Sequence, residues 1–159
     1  MTLNEGEYDL ADQRTAMNAL SRERVLLGME LGDMEEKSGV SVNSFYAWRS
    51  AGRSPQLANL VAVAQTLGFE IVMIHTTPPH PVYSLHNISI AMAAIDQARR
   101  DEKLSTKELR ATTSVASNSF YSWLKRHRDP TLSRFVSLVE SFGFRVVMRR
   151  NQPKKEVAA

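Results

Sequence analysis

Hydrophobic positions along the chain change period in a fixed order, and that order occurs twice. Ala16, Met17, Leu20 and Leu27 fall mostly at helical intervals, as do Ile90, Met92, Ile95 and Ala98, so each set predicts a helix with one buried face. Further on, Leu57, Leu60, Val61, Ala64 and Leu67 predict a second stripe, answered by Leu132, Phe135, Val136, Val139 and Phe142. Ser54-Pro55 and Asp129-Pro130 precede these stripes, each pairing an N-cap residue with proline at the first helical position. Gly68 and Gly143 follow them and supply the left-handed residue that commonly ends a helix. Beyond the glycines the period drops to two. In FEIVMIH, Phe69, Ile71 and Met73 alternate with Glu70, Val72 and Ile74, and FRVVMRR has the same β-branched character, so both predict short strands.

A gapless shift of 75 residues superposes the two halves, giving about eighteen identities in roughly sixty-four positions. NSFYAW at Asn43 to Trp48 falls on NSFYSW at Asn118 to Trp123, Pro55 on Pro130, Leu57 on Leu132, and Ala16, Met17, Ala19 and Arg24 on Ala91, Met92, Ala94 and Arg99. Such in-register identity reads as one duplicated unit. A single strand in each unit has no partner of its own, and unpaired backbone groups favour pairing between the two units. The expected fold is mainly α: two repeated four-helix domains, each ending in a strand, with Phe69 to His75 and Phe144 to Arg150 joined in a two-stranded sheet. The expected boundaries are 1–75 for the first domain, 76–86 for a proline-punctuated linker without charged residues, 87–150 for the second domain, and 151–159 for a disordered tail.

Between the two apolar stripes of each unit lie two shorter helices. Ser105 with Glu108 three residues on is a capping box, starting a helix that runs to about Thr113. Glu30 is the poorer cap at the matching position, with Asp33 adding negative charge near the helix N-terminus. A break at Gly39 or Ser114 and the shared Val40/Val115 then lead into a third helix starting near Ser41 or Ala116, which is a helix-turn-helix layout. On that third helix Phe45 and Trp48, like Phe120 and Trp123, share a face suited to core packing. Asn43, Ser44, Tyr46 and Ala47, and Asn118, Ser119, Tyr121 and Ser122, are left facing outward. Cations follow: Arg49 and Arg53 in one unit, Lys125, Arg126, His127 and Arg128 in the other.

Composition narrows the picture. The chain has 159 residues, 43% hydrophobic content and no cysteine, which excludes disulfides and thiolate metal sites and points to a reducing compartment. No apolar run approaches a membrane span, and the acidic start MTLNEGEYDL lacks the basic region of a secretory leader. Charge is uneven: Asp12 to His75 holds six Lys/Arg against seven Asp/Glu, whereas Asn87 to Arg150 holds twelve against six. A basic second unit is the footprint expected of a phosphate-binding surface.

Each unit resembles the lambda-repressor/Cro-type helix-turn-helix family, also called the XRE family. Leu104, Ser105, Glu108, Leu109, Val115, Phe120, Trp123 and Pro130 carry the likeness in the second unit, and Met34, Gly39, Val40, Ser41, Phe45, Trp48 and Pro55 in the first. Where that family often has a fifth helix, this chain has GFEIVM and GFRVVM, which looks more like the antitoxin repressor of the persistence toxin-antitoxin system, with its shared two-stranded sheet. Arg49 and Leu124 stand where the family commonly has glutamate. The resemblance implies a double-stranded DNA-binding transcriptional regulator, a repressor by analogy, in which one chain mimics a dimer on an imperfect palindrome. It implies base contacts from Val42, Asn43, Tyr46, Ala47, Ser117, Asn118, Tyr121 and Ser122, and backbone contacts from Ser44, Arg49, Arg53, Ser105, Ser119, Lys125, Arg126 and Arg128. Asn43 and Asn118 lead that set because an asparagine amide can pair bidentately with adenine.

The chief alternative is a protein-interaction module, an antitoxin or anti-activator, built on the same scaffold. Glu30, Asp33, Glu35 and Glu36 favour it, since acids at the start of the second helix would oppose phosphates. No phosphate-binding glycine loop, nucleophile elbow or carboxylate dyad appears, so no enzyme is expected. His75, His80, His86 and His127 lack metal-ligand spacing, so neither metal nor cofactor is expected. Expected partners are DNA and either a second copy or another protein, with no membrane and no small-molecule ligand. The expected setting is bacterial or phage-encoded, cytoplasmic and associated with the nucleoid.

Overall fold

The computed structural model describes residues 1–152. Residues 153–159, most of the stretch read as a tail, lie outside the described residues. The order is β1 (Tyr8–Asp9), α1 (Gln13–Leu26), α2 (Leu31–Ser38), α3 (Val42–Arg49), α4 (Leu57–Thr66), β2 (Phe69–His75), β3 (Val82–Ser84), α5 (Ile88–Asp101), α6 (Thr106–Thr113), α7 (Ser117–Leu124), α8 (Leu132–Glu140) and β4 (Phe144–Arg150). The bounds of α5, α6, α7 and β4 are those of α1, α2, α3 and β2 moved by 75 residues, and α8 starts one such offset after α4. No helix among the described residues is long and apolar enough to cross a membrane.

Local chemistry explains the helix ends. Asp12 and Asn87 cap α1 and α5 through side-chain acceptors, and Ser105 caps α6 by accepting from the Glu108 amide at 3.1 Å. The Ser105 hydroxyl also donates to the Glu108 carboxylate at 3.1 Å. Glu30 makes no side-chain cap for α2, but Asp33 lies in the first turn. The stripes of α4 and α8 are buried as the spacing predicts. Of the first-helix stripes, Ala98 is half-buried and two members are exposed: Leu27 lies past the end of α1 and is 54% exposed, while Ile90 is 60% exposed on α5, where Ala91, Met92, Ile95 and the salt-bridged Asp96 form the inner face.

The expected two-stranded sheet is a four-stranded antiparallel sheet in the order β1-β4-β2-β3. The expected β2/β4 pairing is present, but two strands alone would leave both outer edges fully unpaired; β1 and β3 cover part of each and leave the sheet with short edge strands. β3 lies within the 76–86 segment, and the turn before it places His80 Nδ1 2.9 Å from the carbonyl of His75. Opposite charges meet on the sheet, with Arg149 2.8 Å from Glu70 and Arg145 3.3 Å from Asp9. Arg150 stacks over Phe69 at 4.9 Å from the ring centroid and binds both carboxylate oxygens of Glu23. Val72, Ile74 and Val147 are buried on the second face with Leu3 against them, so the middle of the sheet does not follow a simple inside-outside alternation.

The register of β2 on β4 centres on Val72 opposite Val147, one offset apart. A second such pair is the bridge between Gln56 and Thr131. Around it the Leu57 amide donates to the Pro130 carbonyl at 2.9 Å and the Leu132 amide to the Pro55 carbonyl at 2.8 Å. Ser54 and Asp129 do not cap the helices that follow them in sequence. Each crosses over: Asp129 Oδ2 accepts from the Ala58 amide of α4 at 2.8 Å, and Ser54 Oγ from the Ser133 amide of α8 at 3.0 Å. The crossing bridge holds the two proline-bearing loops antiparallel, so each cap reaches the neighbouring helix. Burial pushes the Asp129 carboxyl above its usual range, offset in part by the amides of Ala58 and Leu57.

Candidate nucleic-acid interface

Two helix pairs, α2 with α3 and α6 with α7, turn on residues in the left-handed conformation, Gly39 at φ 74° and Ser114 at φ 61°. The same hydroxyl device braces both turns. Ser38 Oγ donates to the Met34 carbonyl and accepts from the Val40 amide, and Thr113 Oγ1 does the same with Leu109 and Val115. Val40 and Val115 are buried beneath.

α3 is capped by Ser41, whose oxygen accepts from the Ser44 amide at 3.1 Å; Ala116, at the matching place on α7, makes no side-chain cap. Asn43 is therefore inside the helix and not its cap. Phe45, Trp48, Phe120 and Trp123 are buried, as their spacing predicts, with Phe45 and Trp48 packed edge to face at 6.4 Å. These anchors fix the rotation of both helices. Asn43, Tyr46, Asn118 and Tyr121 project outward, and all four are exposed. Val42, Ala47, Ser117 and Ser122 flank them on the same helices. Among the described residues, neither asparagine amide nor either tyrosine hydroxyl makes an internal hydrogen bond. The structure thus brings each expected base-contact set onto one accessible face of one helix.

The expected backbone contacts divide. Lys125, Arg126 and Arg128 are exposed on the turn after α7 and pair with no carboxylate among the described residues. Arg53 is exposed, but Arg49 is half-buried, with an unpartnered Nε, in a groove of about 580 Å³ it shares with Asn18, Ser21, Arg22, Val25 and Leu26. Ser44 Oγ lies 2.9 Å from Ser41 Oγ, and the Ser105 hydroxyl serves its helix cap. Ser119 is half-buried on α7. Helix α2 presents Asp33, Glu35 and Glu36 to solvent, whereas α6 presents Lys107, Glu108 and Arg110, so the surfaces flanking α3 and α7 differ in charge.

Several positioning residues were not singled out by sequence reasoning. Arg24 Nη1 donates to the Met29 carbonyl at 2.7 Å and Arg99 Nη1 to the Leu104 carbonyl at 2.8 Å, closing the turn into α2 and α6. The recurrence of this arginine was the available signal. Arg99 also pairs with Asp96 at 2.9 Å and lies 5.8 Å from the centroid of Phe120. Gln13 has no such signal: its amide donates to the carbonyls of Trp48 and Arg53, each at 2.9 Å, tying α1 to the end of α3. The matching residue is Ile88.

No protein-family model, curated protein or solved structure matches the chain.

Proposed function

We propose that the chain is a sequence-specific double-stranded DNA-binding transcriptional regulator, acting as a repressor through two helix-turn-helix heads in one polypeptide. The observation that carries this reading is the pair of surfaces on α3 and α7. Each projects an unpaired asparagine and tyrosine from a helix whose opposite face is pinned by a buried phenylalanine and tryptophan. Asparagine can read adenine bidentately in the major groove, and the cations after α7 are placed for the adjacent phosphates.

The interface between the halves supports a covalent pseudo-dimer. Val72 opposite Val147 and Gln56 opposite Thr131 pair corresponding positions with each other, as an isologous interface does. With α3 and α7 about 34 Å apart, heads so related would take half-sites about ten base pairs apart. Val42 against Ser117 and Ala47 against Ser122 make the preferred site an imperfect palindrome.

A second reading, a protein-interaction module such as an antitoxin or anti-activator, is favoured by one specific feature. Val25, Leu26 and Leu27 stand 64%, 79% and 54% exposed at the end of α1, where the second half has Arg100, Asp101 and Glu102. Selection from a random duplex pool, followed by gel shift of wild type, Asn118→Ala and Lys125→Ala, separates the readings. The DNA reading expects an enriched asymmetric site and weaker retardation by both variants. No enrichment, with both variants indistinguishable from wild type, removes it.

A further inference from the structure

A cleft of about 360 Å³ lies where the two halves meet, between α4, the turn into α5 and the turn after α7. Leu57, Val61 and Leu85 give it buried apolar walls, and Arg126, His127 and Arg128 contribute exposed cationic and imidazole groups. The volume is within the range of small-ligand sites.

The chain contains its own control. Moving the lining by one offset leads to a second cleft, formed by Leu10, Ala11, Gln13, Leu132, Ser133 and Val136, of about 180 Å³. The apolar frame is kept, with Leu10, Leu132 and Val136 for Leu85, Leu57 and Val61. The chemistry is not. Ala51 and Gly52 replace Arg126 and His127, and Ala11 replaces His86; the arginine at Arg128 is kept as Arg53, which does not line the smaller cleft. Gln13 stands in place of Ile88, and its amide is spent on the carbonyls of Trp48 and Arg53. Packing at this junction therefore does not require Arg126, His127 or the larger volume, because one of the two junctions does without all three, and its arginine stands outside the cleft. One carboxylate, Asp129, also lines the larger cleft, but it is engaged by the Ala58 amide.

We infer that the larger cleft binds a small organic anion with an apolar body, its charged head against Arg126, His127 and Arg128 and its body against Leu57, Val61 and Leu85. Arg126 and Arg128 are also the proposed phosphate contacts, so occupancy withdraws them from DNA and makes the ligand an effector that weakens binding. That coupling rests on the DNA reading; the site itself does not.

The test is amide chemical-shift titration of the full chain with benzoate and phenyl phosphate, and with benzamide as the uncharged isostere. At least one anion is expected to give saturable shifts at Ala58, Ala62, His86 and Asp129 but not at Ala11 or Ser133, with a Kd of about 1 mM or below and at least about tenfold tighter than benzamide. Arg126→Gln with Arg128→Gln should weaken it about tenfold, and Ala62→Phe, which fills the cleft without touching a cation, should abolish it. No saturation by either anion up to about 10 mM, equal binding of benzamide, or equal shifts at both clefts overturns the site. In a parallel gel shift on the selected duplex, the bound anion should weaken retardation of wild type and leave that of Ala62→Phe unchanged; anion binding without that effect overturns the coupling. Anion binding by a chain that retards no duplex upholds the site and removes the DNA reading. Retardation without anion binding does the reverse.

Discussion

Ser54 and Asp129 occupy corresponding positions 75 residues apart, and each caps the helix that follows the other. An N-cap contributes about 1 kcal/mol, so Ser54→Ala and Asp129→Ala should each cost about that much. Because both caps cross the junction, the halves should unfold in one transition monitored by circular dichroism. Two resolved transitions would show that the crossing caps do not couple the halves.

Asp129→Asn separates the cap from its charge. The folded-state pKa of Asp129 is raised, chiefly by burial, so stabilisation by its protonation is present below the unfolded pKa and is lost as pH rises through the folded one. Near neutral pH the wild type therefore carries a half-buried carboxylate that asparagine, still an acceptor for the Ala58 amide, does not. Denaturant unfolding should find Asp129→Asn at least as stable as wild type at pH 7, with the charge-dependent part of the difference gone below about pH 3.9. A difference that does not change with pH contradicts this.

The crossing also marks where sequence reading ends. Ser54-Pro55 announces a helix start two residues early, since Gln56 is the N-cap and Leu57 the first residue of α4, and a local capping rule cannot say which of two neighbouring helices receives the oxygen. The apolar stripes of α4 and α8 and the β-branched runs of β2 and β4 were legible because each spans several periods. Tyr8–Asp9 and Val82–Ser84 are too short to show one, so the outer strands went unseen. On α3 and α7 the split between buried Phe/Trp and outward Asn/Tyr followed from helical spacing alone. The reach of Gln13 to Trp48 and Arg53 spans 35 and 40 residues and leaves no local pattern. Nor does the partial burial of Arg49, which depends on how α1 packs.

Arg99 joins three elements through the Leu104 carbonyl, Asp96 and the Phe120 ring. Arg99→Met keeps much of its bulk but orphans a carbonyl and leaves Asp96 with only the more exposed Arg100. Thermal or denaturant unfolding should show a loss of about 2 kcal/mol. Arg24→Met should cost less, because Ser21 stands at the place of Asp96 and no carboxylate is stranded. Equal losses would mean that the Asp96 pair adds nothing to the carbonyl hydrogen bond.

Glu23 supplies a contribution of opposite sign in pH. Its hydrogen bonds from Arg150 hold its carboxyl below the usual range, outweighing the effect of burial. A lowered carboxyl pKa gives stability that is present above the unfolded value and disappears as pH falls through the folded one. Glu23→Gln should therefore destabilise at pH 7, by no more than about 1 kcal/mol for so exposed an arginine partner, and should lose that deficit in acid. Unfolding curves of both proteins between neutral pH and about pH 3 check it; a deficit that persists in acid assigns the effect to packing.

The two heads should not contribute equally to DNA affinity. Lys125 and Arg126 are exposed and unpaired with any carboxylate among the described residues, on the half that carries basic α6 residues. Arg49 is half-buried, and acidic α2 flanks it with Asp33, Glu35 and Glu36. Removing one cation from a phosphate lowers the salt dependence of the binding constant by about 0.9 in logarithmic slope. Lys125→Gln with Arg126→Gln should thus reduce the slope by about 2, and Arg49→Gln with Arg53→Gln by about 1 or less. Fluorescence anisotropy on the selected duplex at several salt concentrations measures both. Equal reductions would mean that α3 and α7 meet the phosphates alike, and that the acids of α2 have turned away from the DNA without weakening the first head.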